Sequence, residues 1–98
     1  MHSSIFMSYT FSWDSRKEFL NIAKHGVSFT EASEVFTDPF VIHLEDPNHS
    51  CEEDRFYAVG KTRRGRILTI RYTVRDKIIR IYGAAQWRKW RKYYEQNT

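Results

Sequence analysis

Arg66-Ile-Leu-Thr-Ile-Arg-Tyr-Thr-Val-Arg75-Asp-Lys-Ile-Ile-Arg-Ile-Tyr-Gly83 reads as two strands joined by a two-residue turn, Asp76-Lys77. If Arg75 pairs with Ile78, then Thr73 pairs with Arg80 and Arg71 with Tyr82, all on one face. Val74 then meets Ile79 and Tyr72 meets Ile81 on the other face, where Leu68 and Ile70 continue the apolar side. The turn departs from the usual preference for glycine in its second position. A second hairpin, closed by Lys61-Thr-Arg-Arg-Gly65, leads back to a strand over residues 54–60. With Gly60 opposite Arg66, Phe56 and Ala58 join the apolar face while Arg55, Tyr57 and Val59 join the polar one. Both hairpins therefore predict a sheet with an apolar side and a side that carries Arg55, Tyr57, Arg71, Thr73, Arg75, Arg80 and Tyr82.

Upstream, a first strand is expected over residues 8–12 and another over 40–44, followed by a polar loop from Glu45 to Glu53. Two short helices lie between, each announced by a serine with glutamate three residues on, Ser15/Glu18 and Ser28/Glu31. The first places Phe19, Ile22 and Ala23 on one face and stops at Gly26, and the second buries Ala32, Val35 and Phe36 and ends before Pro39. Val27 is placed to pack on Ala32 as a hydrophobic staple. From Ala84 onward Trp87, Trp90 and Tyr94 recur at helical spacing, which reads as a core-facing stripe on a closing helix. The fold class is α+β: two short N-terminal helices, an antiparallel β-sheet and a C-terminal helix, in one domain over residues 1–98.

The 98 residues are 41% hydrophobic and 16% aromatic, too apolar for a disordered chain. No apolar run approaches the roughly 18 residues of a membrane span, and residues 2–10 lack the basic region and apolar core of a signal peptide. The expected location is cytoplasmic, without membrane contact. Cys51 is the single cysteine, so it forms no internal disulfide, and no metal site or cofactor is expected. Charge is strongly divided. Residues 1–54 hold 3 basic against 10 acidic side chains, and residues 55–98 hold 13 basic against 2 acidic ones. A half-chain balance of −7 against +11 creates a field that attracts polyanions, nucleic acid first among them.

Guanidinium groups bind phosphate through two parallel hydrogen bonds and aromatic faces stack on unpaired bases, so the polar face of the sheet suits single-stranded RNA better than duplex DNA. Arg55, Tyr57, Arg71 and Tyr82 are the candidate RNA contacts there. The hairpin cluster Lys61, Arg63, Arg64 and Arg66 is placed to grip flanking phosphates. A DNA-binding regulator fits poorly, because the basic residues lie on strands and the last helix and no helix-turn-helix signature is present.

The chain resembles the BrnT toxins of type II toxin–antitoxin systems. The marks are Phe11-Ser-Trp-Asp14 with Lys17, Asn21, Lys24-His-Gly-Val-Ser-Phe29, Glu31-Ala32, Val35-Phe36 and Asp38-Pro39. The second half adds Asp46 with His49-Ser50, Glu53-Asp-Arg-Phe56, Val59-Gly60, Gly65-Arg66, Tyr72-Thr73, Arg75 and Ile79-Arg-Ile81. The resemblance implies a RelE-like fold, ribonuclease activity that arrests translation, and neutralisation by a BrnA-type antitoxin, with higher-order assembly through that partner.

Metal-free cleavage of RNA proceeds by attack of the ribose 2′-hydroxyl on the adjacent phosphate, and needs a proton acceptor, a proton donor and cations facing the phosphorane. Arg80 and Arg75, beside Thr73, are the expected groups at the scissile phosphate, with Arg66 and Arg71 orienting its neighbours. His25 and His49 are the candidate proton carriers, since imidazole titrates near neutrality. Lys24 and Tyr72 are further candidates, because the resemblance implies nucleases that can work with Lys, Arg and Tyr. One departure bears on catalysis: the family usually reads Ser-Ala-Arg where this chain has Gly83-Ala84-Ala85. The alternative reading is a catalytically impaired or non-catalytic module that binds RNA or protein on the same fold.

Overall fold

The computed structural model describes residues 9–46 and 54–98. Strands β1 (Thr10–Ser12), β2 (Ile42–Glu45), β3 (Arg55–Lys61), β4 (Ile67–Arg75) and β5 (Ile78–Ala85) form one sheet in the order β1-β5-β4-β3-β2. Helix α1 spans Ser15–His25, α2 Phe29–Ser33 with a 3₁₀ turn at Glu34–Thr37, and α3 Arg88–Gln96. The expected antiparallel arrangement holds for β2 to β5. It is corrected at the edge, where β1 joins β5 in parallel. Parallel neighbours need a long connection, and two helices, a 3₁₀ turn and three strands separate β1 from β5 in the chain.

The Asp76-Lys77 hairpin has the expected register, Arg75 with Ile78, Val74 with Ile79 and Thr73 with Arg80. Beyond Tyr72 and Ile81 the pairing shifts, so that Arg71 faces Gly83 instead of Tyr82. This bulge puts Ala84 opposite Ile70 and into the core, and it lets β5 run on to Ala85 where the closing helix was expected to begin. The other hairpin pairs Gly60 with Leu68, two residues from the expected Arg66. A slip of two preserves which side chains share a face, so Phe56 and Ala58 still reach the core and Arg55 and Tyr57 the polar side.

Asp76 and Lys77 both adopt left-handed backbone, with φ of 52° and 66°. That is the geometry of a tight hairpin turn, and it strains a side chain with a Cβ atom. Lys77→Gly is therefore expected to raise unfolding stability by about 0.5–1 kcal/mol, read as a higher urea midpoint at unchanged slope.

Phe29, Val27, Val35, Leu68, Ile70 and Ile81 are fully buried where α2 and the 3₁₀ turn close over the apolar side. Each contributes roughly 1.5–3 kcal/mol by leaving water. Val74, expected in this core, stands 48% exposed near the open end of the sheet. Helix α1 also departs from the expected face: Phe19 is 70% and Ile22 45% exposed, Ala23 is exposed too, and Asn21 is the buried residue. A helix docks where its polar groups are satisfied. Asn21 accepts from the Ala84 amide at 3.2 Å and donates to the Ala84 carbonyl at 2.9 Å, completing the β5 edge that β1 leaves open.

The helix starts also differ in detail. Asp14, not Ser15, caps α1, accepting from the amides of Arg16 and Lys17, while Glu18 reaches across to the Phe29 amide at 2.9 Å. Ser28 caps α2 as expected, through the Glu31 amide. The Glu31 carboxylate turns instead to the second hairpin, where it takes hydrogen bonds from the Thr62 hydroxyl and the Arg66 guanidinium. Gly26 ends α1 with φ of 69°, as a left-handed helix terminus requires. Asp38 before Pro39 is extended, as proline demands of the residue preceding it.

Arg66 holds Glu31 below the usual carboxylate range. A depressed folded-state pKa contributes stability above the unfolded value of about 4.5, and that stability is lost as pH falls through the folded pKa. Asp14 and Asp38 are lowered too and act in the same window. Glu31→Gln is expected to be less stable than the native chain at pH 7 and to lose less between pH 5 and 3, read by thermal melts across that range.

Helix α3 begins at Arg88 and lies over the polar side of β3 and β4, where Trp87 and Trp90 meet the Tyr57 ring. The expected core stripe is corrected accordingly. Only Tyr94 is buried, with its hydroxyl 2.6 Å from Asp38, whereas Trp87 is 37% exposed and Trp90 half-buried. No helix among the described residues is long and apolar enough to cross a membrane.

Candidate functional site

The part of the polar face that α3 leaves open is bordered by α1. Lys17, Asn21 and Lys24 recur at spacings of four and three, so they share one side of that helix. Because Asn21 is tied to Ala84, both lysines are brought alongside β5. Lys17 lines a small hollow of about 130 Å³ with Arg55, Thr73, Arg80 and Tyr82. On one side a shallower hollow adds Lys24, His25 and Arg71 to Lys17 and Tyr82. On the other, Thr73 and Arg80 also border a hollow with Ser12, Arg75 and Asp76. Shared walls make the three one continuous cationic groove across β4 and β5.

Within it Tyr82 sits beside two guanidinium groups, Arg55 at 5.3 Å and Arg71 at 5.4 Å from the ring centre. Burial pushes the Tyr82 phenol up, with the two arginines opposing. It therefore stays protonated at neutral pH and can donate. Arg71 lies flat against β5 because position 83 is glycine: a Cβ there would come within 2.6 Å of the guanidinium. Thr73 is buried between its strand partners Arg55 and Arg80. Asp14, at the start of α1, is close enough to Lys17 and Arg80 for their charges to lower its pKa further.

The structure gathers Arg80, Arg75, Thr73, Arg55, Arg71 and Tyr82 with Lys24 and His25 along this groove. It does not bring His25 into the hollow that holds Arg80. His25 lies eight residues beyond Lys17, about 12 Å along the helix axis. Tyr57 faces the other way along the sheet, towards α3. The cluster Lys61, Arg63, Arg64 and Arg66 stands at the opposite end of β3 and β4 from Arg55 and Thr73, about 20 Å away by strand rise. There Arg66 is engaged by Glu31 and the Gly26 carbonyl, and Arg64 lies 3.5 Å from Glu31. The amides of Lys61 and Arg63 donate to Asp38 and Glu34.

Tyr72 is buried, with its hydroxyl 2.7 Å from His43 and its pKa raised to about 12, so it faces the core. His49 and Cys51 lie outside the described residues. Among the described residues no group of three or more His, Cys, Asp or Glu side chains is placed to hold a metal ion. Lys17, quoted from the sequence only as a mark of the family resemblance, is the groove residue to which sequence reasoning gave no role in the site. Its spacing from Asn21 and Lys24 is the signal that places all three on one side of α1.

A family model described as the ribonuclease toxin BrnT of type II toxin–antitoxin systems matches residues 13–91. No curated protein matches the chain. Among solved structures, the Brucella abortus ribonuclease toxin BrnT aligns with a TM-score of 0.60 and 18% sequence identity, over 82% of this chain and 97% of that one. The structural likeness shows the shared fold. The family match runs from the residue before the α1 cap into α3, and so takes in Lys17, Lys24, His25, both hairpins and the basic side chains of β3 to β5. On that match the chain belongs to the BrnT family of ribonuclease toxins of type II toxin–antitoxin systems.

Proposed function

We propose that this chain is a toxin that cleaves single-stranded RNA without a metal ion, on a RelE-like plan, in the cytoplasm. The observation that carries the reading is the convergence of Lys17, Arg55, Thr73, Arg80 and Tyr82 from three strands and a helix on one small hollow. A phosphate seated there meets Arg80, Arg55 and Lys17, whose charges oppose the extra negative charge of the phosphorane. The attacking 2′-oxygen gives its proton to a water molecule of the groove as its bond to phosphorus forms and the bond to the 5′-oxygen breaks, leaving a 2′,3′-cyclic phosphate. Tyr82 is positioned to protonate the departing 5′-oxygen. Lys24, His25 and Arg71 hold the next phosphate along the groove, and Arg75 a phosphate on the other side. Cleavage of messenger RNA would stop translation, and a BrnA-type antitoxin would silence the protein by covering the cationic groove.

The alternative, an RNA-binding module that does not cleave, draws on the Ala85 departure. Ala85 is 5% exposed and pairs with Thr69. It lies outside the hollow that holds Arg80, so the groove's own cations do not depend on it. An RNA cleavage assay in excess EDTA separates the readings. The nuclease yields cyclic-phosphate ends and loses them in Arg80→Ala, whereas the binding module retains intact RNA with strongly salt-dependent affinity.

A further inference from the structure

At the bulge β5 carries one residue more than β4, so Tyr82 and Gly83 stand together opposite Arg71. Tyr82 supplies a ring, with its centre 5.4 Å from the Arg71 guanidinium carbon. Gly83 supplies room, since a Cβ there would lie 2.6 Å from both Nε and Nη2 of Arg71. Trp87, just before α3, completes this seat with its ring centre 6.0 Å from the guanidinium. Among the described residues no carboxylate pairs with Arg71, so its charge is left for a ligand.

Trp87 also walls a cleft of about 720 Å³, together with Tyr57 and Trp90. The ring centres of the two tryptophans lie 5.9 and 6.0 Å from that of Tyr57, and Trp87 keeps 37% of its surface in solvent. The charges around the cleft are cationic. Arg88 and Lys89 line it, the Lys89 ammonium 5.0 Å from the Trp90 ring centre. Glu45 stands opposite core-facing Phe56, so its side chain belongs to the other face of the sheet, and Asp46 is 2% exposed and hydrogen-bonded to the Tyr57 hydroxyl. Open rings within a cationic rim repel the cations that aromatic cages otherwise take, and suit a ligand that joins a flat apolar face to a negative charge. A nucleotide is such a ligand.

We propose that the cleft stacks one unpaired base of the RNA, of any identity, beside the phosphate held by Arg71, and that Gly83 is the positioning residue that keeps Arg71 in place. The inference rests on the reading of RNA as the ligand of the groove. Arg71 borders the groove with Lys24 and Tyr82 and stands beside Trp87, so a strand that passes it brings its next base to the Trp87 ring. With no carboxylate turned into the cleft to read a base edge, stacking decides, and every base has a face to stack. An acidic peptide would meet the same rim, but the cleft continues the groove in which the RNA already lies. The guanidinium is the mobile end of a long side chain, so a Cβ at position 83 displaces it without pressing on the backbone.

The test uses hexauridylates that are 2′-O-methyl except at one ribose, so that cleavage occurs after that residue alone, with an abasic residue placed in turn on either side of it. Binding to the full chain is read by fluorescence anisotropy of labelled, fully 2′-O-methyl versions, which stay intact. An abasic residue on one side is expected to raise KM and weaken binding by about tenfold. Trp87→Ala should cause a similar loss and make the abasic residue harmless, while Trp87→Phe should keep most of the affinity. Gly83→Ala should weaken binding by about tenfold at an unchanged melting temperature, with the loss in KM rather than kcat, and should add nothing in an Arg71→Ala background. Equal binding of abasic and intact oligonucleotides by the native chain, or an abasic penalty that persists in Trp87→Ala, overturns the cleft as a base site. Native affinity in Gly83→Ala, or a further loss when it is combined with Arg71→Ala, overturns the seat. A native chain that binds with this Trp87 dependence and cleaves nothing overturns the ribonuclease reading alone, and one that neither binds nor cleaves overturns both.

Discussion

Arg80→Ala is expected to lower the rate of RNA cleavage by about two to three orders of magnitude while leaving the fold intact, the loss seen when one preorganised charge facing a transition state is removed. Arg80 is exposed and its backbone is fixed on both sides, by Ser12 in β1 and Thr73 in β4, so its side chain is carried by the sheet without supporting it. Exposed substitutions of this kind change stability by roughly 0.5 kcal/mol or less. Arg80→Lys should fall between the two, because an ammonium keeps the charge but not the paired hydrogen bonds of a guanidinium to phosphate. The measurement is single-turnover cleavage in excess EDTA with thermal melts on the same samples. Equal rates in native and Arg80→Ala chains would remove the groove from the chemistry.

The second large effect is structural. Asn21→Leu is expected to destabilise the chain by about 3–5 kcal/mol and to lower the melting temperature by roughly 15–25 °C. Leucine nearly matches asparagine in size, so no cavity enters. What is lost is a set of buried hydrogen bonds: Nδ2 to the carbonyls of Val27 and Ala84, each at 2.9 Å, and Oδ1 from the Ala84 amide at 3.2 Å. Each backbone group left unsatisfied costs about 1–3 kcal/mol. Since β1 ends at Ser12 opposite Arg80, no strand replaces those bonds. Asn21→Asp should be no milder, because a carboxylate still accepts from the Ala84 amide but sets a buried charged oxygen against the Val27 and Ala84 carbonyls. Denaturant unfolding read by tryptophan fluorescence checks both, and a loss below about 1 kcal/mol in Asn21→Leu would show that α1 docks by other means.

Most of the sheet was legible because strand faces follow a period of two. The hairpin expected at Gly60 and Arg66 is off by two residues, yet the faces came out right, since only odd slips exchange them. The same rule could not foresee the bulge at Tyr82. That extra residue appears because Ala84, not Gly83, fills the core opposite Ile70, a matter of packing between distant positions. Helix α1 misled for a related reason. Its apolar residues define a face, but the docked side is the one whose asparagine completes a strand edge more than sixty residues away.

The site divides in the same manner. Arg55, Arg71, Thr73, Arg80 and Tyr82 could be placed together from local pairing alone, because each is within reach of a hairpin turn. Lys17 could not, since its distance from Arg80 depends on how α1 crosses β5. Arg66 looked like a phosphate ligand on a basic hairpin, and the structure gives it to Glu31 on α2, thirty-five residues earlier. Trp87 and Trp90 had the spacing of a buried stripe, and they stay half outside because α3 starts later and settles on the polar side of the sheet.

What the amino-acid order determined by itself was therefore the division of charge, the alternation of each strand, the ends of the helices at Gly26 and Asp38, and the family resemblance carried by short motifs. Those properties depend on neighbours within a few residues. Tertiary structure alone decided which face of α1 is buried, where the sheet bulges, which basic side chains border the groove and on which side of the sheet α3 settles. Each of these is settled by hydrogen bonds and packing between segments whose separation in the chain carries no periodic signal.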